Sequence, residues 1–354
     1  MNYFNNFKKK DFLTSYEIAR KCDYVYSEVI TNKEFEKLNK NDLNIIFQND
    51  SYTFYYSTFL RIKENDIIFS NSLLLDNLFF YLKKAKNLKN ITLISHQADK
   101  PINKRLYNKK PKCIDKWYTV NLNLEDKNIF SIPIGLSNDY SPKNPNGDDF
   151  IKFYEKNKRM VKENKLYINI QKNTNLKERE KILENFRNKE WVEIDEPNLT
   201  IENYLNRLNE YKFILCPWGN GFDTHRFWET IYAGSIPVTK KHPTYSFAKN
   251  LPVILVDNYE DITLELLLEK ENIITKTDLN LLKNDFFIQN IVENKKLGPE
   301  SIENFEIENN KFKDKIYLLS YNFSVNIKSR LKILKFYLRK FYKIPNYLLN
   351  YNDQ

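Results

Sequence analysis

The segment that decides the fold is residues 212–240, K-F-I-L-C-P-W-G-N-G-F-D-T-H-R-F-W-E-T-I-Y-A-G-S-I-P-V-T-K. Residues 212–216 predict a buried strand, residues 223–233 predict a helix, and residues 236–239 predict the next strand. Gly234 is expected to end the helix, because glycine readily takes the left-handed conformation that follows a helix C-terminus. A strand, a turn, a helix and a strand in this order are typical of a parallel α/β sheet.

The turn and the first part of the helix contain glycines and polar residues suited to binding a diphosphate. They are Gly219, Asn220, Gly221, Asp223, His225, Arg226 and Glu229. A helix N-terminus and the guanidinium of Arg226 both attract an anion. Glu229 follows three residues later on the same helical face, where it can accept hydrogen bonds from a ribose. The alternative is structural: Asp223 caps the helix, and Arg226 forms a surface ion pair with Glu229.

The same alternation of strands and helices continues on both sides of this segment. Further strands are predicted at residues 44–47, 66–70, 91–95, 117–122, 129–134, 166–170, 191–194 and 253–256, and further helices at residues 73–86, 176–187 and 200–208. The turn-rich string S-P-K-N-P-N-G-D-D from Ser141 separates two such series. We therefore predict two tandem doubly wound domains, at residues 1–160 and 161–310, followed by a helical tail at residues 311–354.

Residues 217–238 resemble the donor-binding segment of exostosin-like glycosyltransferases, which have the GT-B fold and the pattern P-x-G-x-G-x-D-x-x-R-x-W-E-A-L-x-x-G-x-I-P-V. Thr230 stands where that family often has Ala. The resemblance implies an enzyme with two Rossmann-like domains that transfers a sugar from a UDP- or GDP-sugar to a glycan. It also implies that the second domain binds the nucleotide, with Arg226 on phosphate and Glu229 on ribose, and that the first domain binds the acceptor.

Two features favour an inverting transfer that needs no metal. Many retaining GT-B enzymes carry two glutamates as E-x7-E, but the position eight residues before Glu229 is Gly221. The nearest string to a D-x-D motif is E-I-D at residues 193–195, so the usual ligands of a metal-bound diphosphate are missing and no metal cofactor is expected. The helix N-terminus and Arg226 would stabilise the leaving diphosphate instead.

An inverting transfer also needs a base that takes the proton of the acceptor hydroxyl. His96 and Asp99 are the predicted catalytic residues, because they follow a strand of the first domain and ligands bind at the carboxyl ends of such strands. The alternative is that both are loop residues without a chemical role. Arg179 is predicted as a second phosphate ligand, or as an exposed helix residue. Weaker candidates near strand ends or on a strand are Asn169, Asn173, Asn175, His242, Trp117, Tyr118 and Asn121.

Composition excludes several classes of protein. The 354 residues are 42% hydrophobic and include only 6 Gly and 12 Pro, which excludes a disordered or collagen-like chain. The N-terminus shows no apolar run typical of a signal peptide. The three cysteines, Cys22, Cys113 and Cys216, are far apart and are interpreted as reduced packing residues of a cytoplasmic protein.

The net charge of +10 is concentrated in the tail. Residues 311–354 contain ten Lys and Arg and two Asp, a net charge of +8, and their apolar residues follow helical spacing. Such a helix predicts contact with an anionic membrane surface, at the inner face of a membrane, or packing against the first domain. Nucleic acid is the less favoured partner, and it gives the alternative function: a DNA base glycosyltransferase or a non-catalytic nucleic-acid binder.

Overall fold

The computed structural model describes residues 4, 6–141, 143–157, 161–293, 295, 301–308 and 311–322. Its strands are β1 (Tyr24–Thr31), β2 (Leu43–Gln48), β3 (Tyr52–Ser57), β4 (Phe59–Lys63), β5 (Ile67–Asn71), β6 (Ile91–His96), β7 (Ile114–Thr119), β8 (Ile129–Ser131), β9 (Glu163–Ile168), β10 (Val192–Ile194), β11 (Tyr211–Leu215), β12 (Ile236–Lys240), β13 (Ile254–Val256) and β14 (Ile302–Glu306). Its helices are α1 (Ser15–Arg20), α2 (Asn32–Phe35), α3 (Leu75–Leu82), α4 (Lys104–Tyr107), α5 (Gly147–Lys156), α6 (Leu176–Phe186), α7 (Ile201–Glu210), α8 (His225–Tyr232), α9 (Leu264–Glu269), α10 (Asn284–Glu293) and α11 (Lys311–Asn322). The chain is a mixed α/β protein with two sheets that are mainly parallel.

The second large sheet contains the segment from which the fold was predicted. Its five strands are parallel and follow the order β10-β9-β11-β12-β13. The strand β11 is buried on both faces, since Phe213, Ile214 and Leu215 are all 0% exposed and contribute to two different apolar clusters. After β9, the next strand along the chain, β10, is added on one side of β9, and the strand after that, β11, is added on its other side. This reversal creates a crevice at the carboxyl ends of β9 and β11.

The first large sheet differs from the doubly wound prediction. Its order is β2-β3-β1-β5-β6-β7-β8, in which the parallel strands follow one another in a single direction. The strands β2 and β3 form an antiparallel pair at one edge. The reversal between them is local, because the side chain of Asn49 accepts hydrogen bonds from the backbone N–H groups of Ser51 and Tyr52. The antiparallel strand β14 pairs with β4, so residues 302–306 return to the N-terminal part of the chain.

Local capping signals predicted two helix boundaries correctly. The hydroxyl of Thr200 accepts a hydrogen bond from the N–H of Asn203 at 3.2 Å, which begins α7. Gly234 has φ +73° and follows the last turn of α8, as predicted for a helix that ends in the left-handed conformation. The start of α7 and the end of α8, the helices before and after β11, are therefore determined by nearby sequence.

Residues 4 and 6–13, here called the N-terminal strap, contact both the first part of the chain, at Leu136, and helix α8 in the second part. The rings of Phe4 and Phe12 contact the ring of Tyr232 on α8, with centroid distances of 5.7 and 4.9 Å. The backbone N–H of Leu13 donates to the Tyr232 hydroxyl at 3.1 Å, and the Leu13 carbonyl accepts from Leu136 at 2.7 Å. The strap is thus part of the core that supports α8.

The amino group of Lys162 joins the C-terminal ends of α7 and α8. It donates to the carbonyl oxygens of Leu208, Asn209 and Ala233 at 3.2, 2.7 and 3.1 Å. Carbonyls in the last turn of a helix have no partner within the helix and need one elsewhere. A single side chain therefore satisfies the C-terminal ends of two helices, at the edge of the sheet opposite the crevice.

Replacing Lys162 with Met is expected to lower the free energy of unfolding by about 2–3 kcal/mol, because buried carbonyls lose their donor while the side-chain volume is kept. Urea denaturation followed by circular dichroism measures this change. Lys249→Met, at an exposed position, is the matched control and should change stability by less than about 0.5 kcal/mol. Equal effects in the two variants would contradict the structural role of Lys162.

The C-terminal tail is described only in its first part. The helix α11 packs near β2, where Asp314 accepts a hydrogen bond from Asn44 at 2.8 Å. Most of the predicted basic helix lies in residues 323–354, outside the described residues. In the described part of the chain, no helix combines the length and the apolar composition that crossing a bilayer requires. The three cysteines are unpaired.

Candidate functional site

A cavity of about 480 Å³ lies at the carboxyl ends of β9 and β11, where the strand order reverses. We call it the switch-point cavity. Its lining includes all eight residues predicted to bind the donor and one of the two predicted catalytic residues: Arg179, Gly219, Asn220, Gly221, Asp223, His225, Arg226, Glu229 and Asp99. His96 is not among the lining residues. The structure thus brings side chains from both halves of the chain into one space.

Arg179 supports the turn after β11 through hydrogen bonds to the backbone of that turn. Its guanidinium donates to the carbonyl oxygens of Gln171, Pro217 and Trp218 at 2.7, 3.1 and 3.1 Å. A Cβ atom at Gly219 would lie 3.3 Å from Nη2 of Arg179, so the backbone of the turn lies close to the guanidinium. Arg179 is 7% exposed, which excludes the alternative of an exposed helix residue. It fixes the turn and still lines the cavity.

The cavity carries two guanidinium groups with no carboxylate partner among the described residues. Arg226 donates from Nε to the Tyr204 hydroxyl at 3.2 Å and has a long contact with Asn169 at 3.5 Å. Burial and the neighbouring charge of Arg226 lower the pKa of Arg179 to about 10. Burial lowers the pKa of Arg226, but the neighbouring Tyr204 hydroxyl and the charge of Glu229 outweigh burial and raise it. An anion bound in the cavity would stabilise the charged form of Arg179. The surface ion pair that the sequence left open for Arg226 and Glu229 is not formed.

Glu229 lies on the same helical face as Arg226 and shares a partner with it. Its Oε2 accepts a hydrogen bond from the Tyr204 hydroxyl at 2.8 Å, and the residue is 4% exposed. Burial raises the pKa of Glu229, while the charge of Arg226 acts in the opposite direction. Tyr204 therefore holds both charged groups at fixed positions on the cavity wall.

Asn121, from the loop after β7, closes the site from the first half of the chain. Its Oδ1 accepts hydrogen bonds from the N–H groups of Phe222 and Asp223 at 2.8 and 3.3 Å. A Cβ atom at Gly221 would lie 2.7 Å from that oxygen, so only glycine fits beneath it. Asn121, a weaker candidate on a predicted strand, is fully buried and supports the turn. The N–H groups of Phe222 and Asp223, which were expected to be free to bind an anion near the start of α8, therefore already donate to Asn121.

Asp223 connects α8 to the loop after β8. Its Oδ2 accepts from the N–H of Ile134 at 2.8 Å and from Nε1 of Trp228 at 3.1 Å, and its Oδ1 accepts from the N–H of Thr224 at 2.9 Å. Burial raises the pKa of Asp223 from 3.8 to about 6, although these three hydrogen bonds favour the charged form. Its carboxylate is thus engaged by the protein and holds the two halves together.

The raised pKa of Asp223 predicts how the free energy of unfolding changes with pH. Because its pKa is higher in the folded chain, the folded state keeps a proton between about pH 4 and 6 that the unfolded state has released. The free energy of unfolding should therefore fall as pH rises through this window, by up to about 1.4 kcal/mol per pH unit. The measurement is the difference between wild-type and Asp223→Asn stability across pH 3.5–7 in roughly half-unit steps. A difference that does not vary with pH would show that Asp223 titrates normally.

His225 is held by a carbonyl from the first half of the chain. Its Nδ1 lies 2.9 Å from the oxygen of Gly135, and a carbonyl can only accept, so Nδ1 carries the proton. Gly135 itself has φ +71°, and a Cβ atom there would lie 2.2 Å from the carbonyl oxygen of Leu13. Sequence reasoning missed Gly135. The available signal was its place in the short string S-I-P-I-G-L, in a chain with only 6 Gly.

The structure does not support a base role for His96. Its Nε2 lies 3.1 Å from the carbonyl oxygen of Pro133, and its Nδ1 accepts from the N–H of Gln97 at 2.7 Å. Burial lowers the pKa of His96 to about 3, and the residue is 2% exposed. Both ring nitrogens have backbone partners, so neither is available to an acceptor. Asp99, three residues later, is half-buried and does line the switch-point cavity.

A second cavity of about 320 Å³ adjoins the first. Five residues line both: Asp99, Ile134, Ser141, Asn144 and His225. Asp99 and His225 are the two of these five whose side chains carry a carboxyl or imidazole group able to act as a base. The boundary between the cavities is therefore the place where a reacting group from each side could meet a base.

The remaining candidates lie elsewhere or have structural roles. Trp117 is fully buried and donates to Ser95, and Tyr118 stacks on Phe130. The ring of His242 stacks on Phe222 with a centroid distance of 3.7 Å, and the residue lines neither cavity. Of the three asparagines, Asn169 lines the switch-point cavity, whereas Asn173 and Asn175 do not. The carboxylates of Glu193 and Asp195 in the E-I-D string pair with Arg207.

Comparison with known proteins gives matches among solved structures alone. No protein-family model matches the sequence, and no curated protein matches it. Among solved structures, AviGT4, a glycosyltransferase involved in Avilamycin A biosynthesis, aligns with 64% of this chain and 82% of its own, at 11% sequence identity and a TM-score of 0.32. The comparison does not extend to the exostosin-like family, which stays a resemblance of residues 217–238.

Proposed function

We propose that the protein is a glycosyltransferase that moves a sugar from a nucleotide sugar to a hydroxyl of a glycan. The observation that carries the proposal is the pair of guanidiniums, Arg179 and Arg226, that line one cavity without a carboxylate partner among the described residues. The cavity lies at the strand reversal where nucleotides bind in open α/β sheets. A diphosphate there would supply the charge that the two cations lack.

The rest of the cavity fits a nucleoside attached to that diphosphate. Glu229 offers a fixed carboxylate for ribose hydroxyls, and Pro197 and Leu199 give an apolar wall for a base. Thr174 and Thr224 also line the cavity, and their hydroxyl oxygens are buried without a hydrogen-bond partner in the described structure. Buried polar atoms without a partner beside a cavity are places where a water molecule or a ligand can supply one.

The proposed reaction is inverting and uses no metal. The acceptor oxygen forms a bond to the anomeric carbon while the bond from that carbon to the phosphate oxygen breaks. The electron pair leaves with the diphosphate, whose charge Arg226 and Arg179 stabilise. The acceptor proton passes to a base at the boundary of the two cavities. This scheme agrees with the resemblance of residues 217–238 to GT-B enzymes of the exostosin type and with the lack of an E-x7-E pair.

The test is a thermal-shift screen of the purified chain with UDP, GDP, CDP and ADP, followed by calorimetry on the best of them. We expect one nucleoside diphosphate, UDP or GDP, to raise the melting temperature and to bind. The corresponding nucleotide sugars would then be screened for transfer, and the product anomer determined by NMR. If none of the four diphosphates binds, the proposal is wrong.

A second part of the proposal concerns location. The tail has a net charge of +8 in residues 311–354, and Ile316 and Leu319 of α11 are 45% and 65% exposed. These features support contact with an anionic membrane surface. Sedimentation with vesicles of phosphatidylserine and phosphatidylcholine should pull down the full chain but not a chain that ends at residue 322. Equal sedimentation of both chains would contradict a role for the tail.

A further inference from the structure

The geometry of His225 distinguishes it from the other titratable group at the boundary of the two cavities. Because the Gly135 carbonyl accepts a hydrogen bond from Nδ1–H of His225, with an N···O distance of 2.9 Å, the neutral ring carries its lone pair on Nε2. No described residue forms a hydrogen bond with Nε2. Burial raises the pKa of Asp99, while the charge of His225 and the nearby side chain of Asn220 act in the opposite direction. His225 therefore presents an unpartnered basic atom on a ring whose orientation is fixed by the backbone.

The carbonyl that orients His225 is fixed on both sides. The N–H of Ile134 donates to Asp223 at 2.8 Å, and the N–H of Leu136 donates to Leu13 at 2.7 Å. Gly135 lies between these two anchors in a left-handed conformation that a larger residue could not adopt. The ring of His225 is thus held in one orientation by the same loop that joins the two halves of the chain.

Charged groups of both signs lie near His225. Asp99, Asp223 and Glu229 each interact electrostatically with the imidazole. The N-terminus of α8, the ring of His96 and the guanidinium of Arg226 on the same helix act in the opposite direction. Of the three carboxyl groups, only that of Asp99 also lines both cavities, which places it to interact with a proton accepted at Nε2.

We infer that His225 is the catalytic base and that Asp99 is a positioning residue that acts through it. This rests on the proposed function. The acceptor hydroxyl would lie in the second cavity and give its proton to Nε2 of His225 as its oxygen forms the bond to the anomeric carbon. Asp99 lies across the boundary and stabilises the imidazolium that results. The assignment replaces His96, and it gives His225 a role beyond contact with the donor.

The first test compares three variants in transfer assays with the nucleotide sugar identified by the screen. His225→Asn keeps an amide N–H near the position of Nδ1 but has no basic atom. We expect kcat to fall about 100-fold or more, while the Kd of the nucleoside diphosphate changes less than about threefold. His242→Asn, outside both cavities, is the matched control and should keep the wild-type rate. Wild-type kcat should rise with pH and level off, and this dependence should be lost in His225→Asn.

Asp99→Asn separates the base from the residue that acts through it. We expect a smaller loss of kcat than in His225→Asn and a pH profile whose midpoint moves to lower pH, because the imidazolium loses a neighbouring anion. If Asp99→Asn abolishes the pH dependence while His225→Asn keeps it, Asp99 is the base and the inference is wrong. If His225→Asn weakens diphosphate binding as much as it slows transfer, His225 is a donor ligand only.

The second test needs no substrate, so it is independent of the proposed function. The chain contains three histidines, which can be followed separately by mass spectrometry after brief treatment with diethyl pyrocarbonate. We expect His225 to be acylated and His96 to be protected, since both nitrogens of His96 have backbone partners. Long-range ¹H–¹⁵N NMR should show the Nδ1–H tautomer for His225. An Nε2–H tautomer, or protection equal to that of His96, would overturn the inference even if nucleotides bind.

Discussion

Arg226→Ala is expected to weaken binding of the nucleoside diphosphate about 100-fold and to slow transfer by at least as much. The guanidinium forms no salt bridge in the described structure, and removing it takes away a charge that a bound diphosphate would use. The substitution also removes the charge that lowers the pKa of Glu229. Its loss should also raise the pKa of Arg179, which the charge of Arg226 now lowers. Calorimetry with the diphosphate found in the screen measures the affinity.

Arg187→Ala is the control for charge in the same domain. Arg187 is exposed at the C-terminal end of α6 and should leave both affinity and rate unchanged. Arg226→Lys should give an intermediate affinity, because a lysine keeps the charge but cannot donate two parallel hydrogen bonds. A wild-type affinity in Arg226→Ala would mean that the two guanidiniums have a structural role alone, and the proposed function would lose its main support.

Gly135→Ala is expected to destabilise the fold by about 4 kcal/mol or to prevent the protein from accumulating in soluble form. The residue has φ +71°, which costs an alanine about 1–2 kcal/mol. The added Cβ would also lie 2.2 Å from the carbonyl oxygen of Leu13, which is fixed by its hydrogen bond to Leu136. Urea denaturation gives the change in the free energy of unfolding.

Gly234→Ala separates the cost of the left-handed backbone from the cost of the close contact with Leu13. Its φ of +73° is nearly the same, but the nearest atom to an added Cβ is Cε of Lys162 at 3.8 Å, an ordinary contact. It should therefore lose only the conformational part, about 1–2 kcal/mol. If both variants lose the same stability, the close approach of Gly135 to Leu13 is not what requires glycine there.

Local patterns were enough to predict the second sheet. The apolar run before Pro217, the glycine after α8 and the cap at Thr200 each depend on neighbours within a few residues. The antiparallel edge of the first sheet was missed because no strand was predicted at residues 24–31 or 52–57, so β2 had no antiparallel partner in the prediction. The partner and direction of a strand also depend on residues far along the chain.

The sequence predicted which residues line the candidate site better than it predicted what each of them does there. The motif residues from Gly219 to Glu229 do line one cavity with Asp99. Their functions depend on contacts that no spacing rule reveals: Asn121 supports the turn from 101 residues away, and Asp223 joins Ile134 across 89 residues. His96 was chosen for its position after a strand, yet the direction of its ring is decided by Pro133 and Gln97.

The N-terminal strap has a consequence for how the protein is made. Leu13 and the hydroxyl of Tyr232 that receives its N–H are 219 residues apart in the chain. At a ribosomal rate of roughly 5–20 residues per second, the strap would wait on the order of 10–45 s for its partner to be synthesised. During that time Phe4 and Phe12 can pack on the aromatic rings of α5 but not on Tyr232. The strap is therefore incompletely packed, and the crevice cannot be completed, until translation has passed α8.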